Sequence, residues 1–230
     1  MNEIPVLTDI PTWLVEYAKV HIKKNNYDSS HDINHFINVY NYAKQIVENS
    51  YSSPGPTLIP GMERCDSLKV LYYSAFSHDL IDGKYVDHDM SIKNLTDLFI
   101  ENNVNQNLIA IIIFIIDNMS FSKQRLGNLQ IPEEYKLVLS IASDADKLDA
   151  YRIERVIAYQ EHKNKDKYED LTERNIINRG WLKTILVKRV LMYRDHWLQT
   201  DYAKKIAEPM HNEVLEYVNK YLVDVDMFEY

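Results

Sequence analysis

The sequence predicts an all-α fold. No stretch alternates polar and apolar residues with a period of two, and only 5 glycines occur in 230 residues, too few for a turn-rich β protein. Polar or proline-bearing breaks divide the remainder into segments of helical length. A hydrophobic content of 46% is ample for one packed core, so residues 1–230 read as a single helical domain. Its core is expected over about 27–162, with a C-terminal helical extension over about 175–223.

The elements follow from local chemistry. Asp9 and Pro11 mark a helix start, since proline is tolerated in the first turn, and this helix is expected to run to Lys24. Asn25 to Ser30 is a polar break. Asp32 then caps a second helix on which His35, Val39, Ala43 and Ile46 share one face. Residues 51–61, with Pro54, Gly55, Pro56, Pro60 and Gly61, form a loop. A third helix is expected over roughly 66–79, closed by a sharp turn at Gly83. A fourth starts at Asp89 or Ser91 and runs to about Glu101, and Asn105 caps a fifth. The fifth carries the apolar run Leu108 to Ile116, far short of the roughly 20 residues that span a bilayer, and reads as a buried core helix. Met119 to Ile131 is expected to be irregular. Pro132-Glu133-Glu134 opens a sixth helix, with acids where its dipole favours them, leading into Ser143 to Ala150. A further helix reaches about His162. The charged stretch Lys163 to Glu173 is the candidate mobile linker, and helices over 175–195 and 201–223 complete the chain.

Composition limits the partners. A net charge of -8 disfavours nucleic-acid polymers and anionic membrane surfaces, both of which need a basic face. A small anionic substrate remains compatible, because local cations or a metal invert the field in a pocket. Cys65 is alone, so no intrachain disulfide forms and a reducing compartment is expected. The segment Met1 to Pro5 has no basic region followed by an apolar core, so no signal peptide is read and a cytoplasmic protein is expected.

Three segments gather chemistry-bearing side chains. His31 and His35, four apart in His-Asp-Ile-Asn-His, lie on neighbouring turns of one helix face. They suit either a shared site or a surface behind a capping Asp32. His78 and Asp79, with Asp82 and Lys84, end an apolar segment. Imidazole and carboxylate together suit a divalent cation. Acids at a helix C-terminus oppose its dipole and need a positive charge, supplied either by a metal or by Lys84. Asp144, Asp146 and Asp149 follow the apolar Leu137 to Ala142, so at least one faces the interior. Its partner is either a metal or one of Lys147, Arg152 and Arg155.

His-Asp-x-x-His, His-Asp-x-x-Asp-x-Lys-Tyr and Asp-Ala-Asp-Lys-Leu-Asp-Ala, in this order with helices between, resemble the HD superfamily of metal-dependent phosphohydrolases. The resemblance is to its small stand-alone hydrolases and covers roughly Tyr27 to Tyr159, with a weaker match over 199–211. It implies four ligands for one divalent metal: His35, His78, Asp79 and Asp144. The second histidine of the first motif is the family's ligand, which leaves His31 behind the metal or facing substrate. Asp82 matches an acid that orients or deprotonates the attacking water, and Lys84 a residue meeting a phosphate oxygen. Asp146, Lys147 and Asp149 flank the last ligand, and Lys147, Asp149 and Arg152 are expected near the substrate. Arg125 and Arg155 are further candidates for phosphate. Met119, Tyr151 and Arg152 depart from the family pattern and bear on specificity. No histidine lies between His88 and His162, so one metal is expected, with manganese, zinc, nickel, magnesium and iron all compatible. The implied reaction is hydrolysis of a phosphomonoester or phosphoanhydride in a nucleotide or other small phosphorylated metabolite. The alternative is a non-catalytic HD-fold module binding a nucleotide or protein. The C-terminal helices offer a face for a homodimer.

Overall fold

The computed structural model describes residues 10–51, 57–127 and 130–228. Among them the chain forms helices α1 (Thr12–Lys24), α2 (Ile33–Ser50), α3 (Arg64–Ser77), α4 (His88–Glu101) and α5 (Gln106–Asn118). These are followed by α6 (Phe121–Leu126), α7 (Lys136–Asp149), α8 (Ile153–Asn164), α9 (Leu171–Lys188) and α10 (Asp201–Tyr221). The described residues contain no strand, in agreement with the predicted all-α class. None of the described helices is long and apolar enough to cross a membrane.

The centre is built by α2, α3 and α7, which pack against one another, with α5 closing the other side of α3. Phe36, Val39, Ala43 and Ile46 of α2 meet Val70, Leu71, Ala75 and Phe76 of α3. Ile141, Ala142, Ala145 and Leu148 of α7 complete the contact, all twelve without solvent exposure. Each large side chain so buried contributes about 1.5–3 kcal/mol, so three helices that meet this way hold their polar ends in fixed register. The C-terminal helices lie on this core: α9 against α8, and α10 against α7, α2 and α9.

Capping residues set the starts. Asp32 accepts the amides of Asn34 and His35 at 2.9 and 3.1 Å, and Asn105 accepts that of Asn107 at 2.8 Å. Pro11 directly precedes α1, whereas Asp9 lies outside the described residues, as do Pro54, Gly55 and Pro56 of the expected loop. Several boundaries differ from expectation. Helix α3 stops at Ser77 and tightens into a 3-10 turn over His78–Ile81. Asp87, rather than Asp89 or Ser91, caps α4, through the Met90 amide at 2.8 Å. The expected irregular connection contains α6, ended by Gly127 at φ 70°, a backbone region that glycine enters without strain. The motif Ser143 to Asp149 lies inside α7 instead of following it. The expected linker keeps only residues 165–170 outside helices, since Lys163 and Asn164 belong to α8 and Leu171 opens α9, which Asp170 caps through Thr172 and Glu173. Beyond Lys188 the chain turns through a 3-10 segment, Val190–Met192, and a π turn, Tyr193–Trp197.

Candidate metal centre

Three elements deliver one cluster. The Asp32 cap starts α2 so that His35, 1% exposed, enters the core in the first turn. At the end of α3, the change to a tighter turn brings two consecutive side chains, His78 and Asp79, to the same spot. Helix α7, packed along both, supplies Asp146. His35 Nε2 lies 3.1 Å from His78 Nε2 and 3.1 Å from Asp79 Oδ2. His78 Nε2 is 3.2 Å from the same oxygen, and Asp146 Oδ1 stands 3.7 and 3.6 Å from the two imidazole nitrogens.

The far side of each ring fixes what faces inward. His35 Nδ1 meets the buried Asp149 carboxylate at 2.8 Å, and His78 Nδ1 meets the Ala75 carbonyl at 3.0 Å. Both partners only accept, so both Nδ1 atoms carry the proton and each neutral ring turns its Nε2 lone pair to the centre. Arg155, which only donates, reaches His35 Nε2 at 3.1 Å and so requires the same tautomer. Two lone pairs and two carboxylate oxygens therefore converge, a donor set suited to a divalent cation. With protons alone, burial opposes charge on His78, but the carboxylates of Asp79 and Asp146 outweigh it and push its pKa up to about 10. Burial likewise opposes charge on Asp79 and Asp146, yet the facing histidines, with Arg155 at Asp146, hold both well below the usual carboxylate range. His35, His78 and Asp146 are placed to hold a metal ion, with Asp79 in contact with both imidazoles.

The fourth position differs from the expected one. Asp144 is fully buried and faces away from the cluster. It accepts the Gln199 amide at 3.0 Å, the Thr200 amide at 2.7 Å and the Thr200 hydroxyl at 2.9 Å. Residues two apart on a helix point about 200° apart, so Asp144 and Asp146 cannot serve one ion. Asp144 fastens the start of α10 instead. The residues expected at the substrate also divide. His31 lines the cavity beside the centre, whereas Lys147, Asp149 and Arg152 do not. Lys147 is buried and donates to Gln124 Oε1 and the Ser143 carbonyl at 3.0 and 3.3 Å. Asp149 holds His35 and accepts from Asn38 at 2.9 Å, and Arg152 lies 3.4 Å from Asp149 Oδ1.

The centre opens into a cavity of about 550 Å³. Asp82 and Lys84 line it, paired at 3.0 Å, as do Arg155, Lys123 and Arg189. An apolar and aromatic wall that includes Phe121, Tyr159, Ile185 and Tyr193 also lines it, with the Arg189 guanidinium 4.6 Å over the Phe121 ring. Met119 lines the cavity, while Tyr151 does not. The Tyr151 hydroxyl accepts the Arg194 amide at 3.0 Å. Arg189 and Tyr193 carried no sequence signal, because nothing local shows that α9 folds back over the site. His88 carried only its residue type; it meets Asp117 at 3.0 Å on the cavity rim.

No protein-family profile matches the chain. An uncharacterized Bacillus subtilis protein, YpgQ, is 26% identical over 230 residues, covering 98% of this chain and 96% of its own. The crystal structure of YpgQ superimposes with a TM-score of 0.61 at 20% identity over 92% of this chain and 95% of that one. A Lactobacillus plantarum crystal structure gives 0.67 at 22% identity, over 93% and 95%. These likenesses establish the helical fold.

Proposed function

We propose that this protein is a metal-dependent phosphohydrolase of HD-superfamily type, acting on a phosphomonoester or phosphoanhydride of a nucleotide or similar small metabolite. The observation that carries the reading is the convergence of His35, His78, Asp79 and Asp146, with both histidines held as inward acceptors, at the floor of a cavity lined with cations. These four residues would hold a divalent cation, which would supply a lowered pKa for bound water and neutralisation of charge on a phosphate oxygen. The chain supplies the remainder. Lys84, whose side chain is 60% exposed, is steered over the cavity by Asp82 and meets a phosphate oxygen. Arg155, held by the Ser30 carbonyl at 2.8 Å, offers a planar fork at the edge of the cluster. The aromatic wall excludes water and receives the part of the substrate that carries no phosphate.

The test is elemental analysis of the purified protein, then a phosphate-release screen over nucleotides and small phosphate esters with manganese, zinc, nickel, magnesium and iron. His78→Ala is expected to lose both bound metal and turnover. Unchanged hydrolysis by that variant removes the assignment, and metal retention with no turnover on any ester points to a binding module.

A further inference from the structure

Beside the cluster lies a second set of buried polar groups that none of the four ligands explains. Asp28, Ser30 and His31 are 4%, 2% and 8% exposed. The Asp28 carboxylate caps the short 3-10 turn over Ser29–His31 through the Ser30 amide at 2.7 Å. It also accepts the hydroxyls of Ser30 and Tyr85. Burial works against its charge, but the bonds from His31, Ser30 and Tyr85 prevail and hold its pKa well below the usual range. Burial and that carboxylate push the Tyr85 phenol far above its ordinary value, so the hydroxyl keeps its proton.

The hydroxyl protons decide the state of His31. Each hydroxyl has one proton, and both are committed to Asp28. Toward His31 Nδ1 the two oxygens, at 2.8 and 2.9 Å, therefore offer only lone pairs. Asp28 itself, at 3.3 Å, is a third acceptor. Nδ1 must carry the proton, and in the neutral ring Nε2 is an acceptor that opens on the cavity. It stands 3.7 Å from Asp79 Oδ2, another acceptor. Two acceptors at that separation are bridged by a group that donates to both, and water is the smallest such group. Tyr85 stacks on Tyr27 at 4.2 Å, and the Tyr27 hydroxyl donates to the Asp79 carbonyl at 2.9 Å, so the support is tied to the backbone of the ligand it serves.

We propose that Asp28, Ser30 and Tyr85 form a clamp that fixes the tautomer of His31, and that His31 Nε2 positions the attacking water between itself and Asp79. Asp82 is engaged elsewhere, its two oxygens meeting the Lys84 amide and ammonium, each at 3.0 Å. The role in turnover rests on the phosphohydrolase reading; the clamp does not.

Nitrogen-15 NMR of the metal-free full chain tests the clamp without substrate. It is recorded at alkaline pH, where a free imidazole is neutral, with the His31 signals identified by their loss in His31→Phe. The wild type is expected to show the Nδ1–H form. Asp28→Asn, whose amide nitrogen replaces one acceptor oxygen and so releases one hydroxyl to donate to Nδ1, is expected to shift His31 toward Nε2–H. In steady-state assays on the ester turned over fastest in the screen, Asp28→Asn should lower kcat by about 10–100-fold with KM little changed. Tyr85→Phe, which keeps the stack on Tyr27, should lose less. His31→Gln, able to present an oxygen near the Nε2 position, should retain more activity than His31→Phe. An Nε2–H tautomer in the wild type, or full kcat in His31→Phe, overturns the proposal. Failure of the phosphohydrolase reading is distinct from these, and shows as absent turnover in a wild type whose His31 has the assigned tautomer.

Discussion

Asp144 and Asp146 are neighbours on one helix with unlike tasks, and their substitutions separate the two. Asp146→Asn is expected to abolish metal retention, read by elemental analysis after gel filtration, with little change in folding. Asp144→Ala is expected to keep the metal-binding atoms in place but to strand the buried Gln199 and Thr200 donors. The cost is about 2–3 kcal/mol, or a Tm lower by about 5–10 °C in calorimetry. The histidines add a pH dependence. In the metal-free protein the pKa of His78 rises from an ordinary value of about 6.5 to about 10. Its contribution to stability is therefore complete below about pH 6.5 and lost as pH climbs through about 10. The depressed carboxylates of Asp79 and Asp146 act in the opposite sense, contributing above about pH 4 and losing that contribution in acid. Metal-free Tm should thus decline between about pH 6.5 and 10, while metal affinity rises over the same interval as the proton leaves His78. A flat Tm profile across that window would count against the cluster as described. At this scale the sequence exposed the residue types but not their directions. Both aspartates of Asp-Ala-Asp follow an apolar segment, and only the packing of α7 against α2 and α3 decides which one faces His35 and His78.

At the scale of elements, the helix starts were the most legible feature, because a cap is a local hydrogen bond between near neighbours. Asp32 and Asn105 cap as their side-chain chemistry requires. Asp32→Ala removes the acceptor for the Asn34 and His35 amides and is expected to cost about 1 kcal/mol, seen as a Tm lower by about 2–4 °C. Because the same cap aims the first turn of α2, metal affinity should fall as well, which titration calorimetry would detect. Helix ends were less legible. The tightening at His78 packs against α1, α4 and α5, and the turns over 190–197 pack against α9 and α10, contacts which no local window contains. The short α6 was missed for the same reason: Gln124 is held by Ser143 at 2.6 Å and by Lys147 at 3.0 Å, both on a distant helix.

Across the whole molecule, a metal held in the cluster would be linked to the fold, because the four acceptors come from three separate helical regions. A bound divalent cation should therefore raise Tm. At a free concentration one hundred times its Kd the gain is about 2.7 kcal/mol, or about 5–10 °C for a chain of this size. Differential scanning fluorimetry with and without chelator measures it, and a Tm indifferent to every metal tried would argue against a resident ion. The part that α9 and the turns after it take in the cavity wall was legible as helix but not as wall. Arg189 and Tyr193 reach the cavity only because the chain doubles back after α8.

The grip of Asp144 on residues 199 and 200 also has a consequence for how the chain is made. Synthesis proceeds from the N-terminus at about 5–20 residues per second, so α7 leaves the ribosome several seconds before its partner segment. During that interval a carboxylate destined for full burial has no donors, and the helix bearing it keeps that face hydrated. That face of α7 is fully packed only after residue 200 emerges. Full packing of the helix that carries Asp146 is thereby postponed until residues 199 and 200 are available.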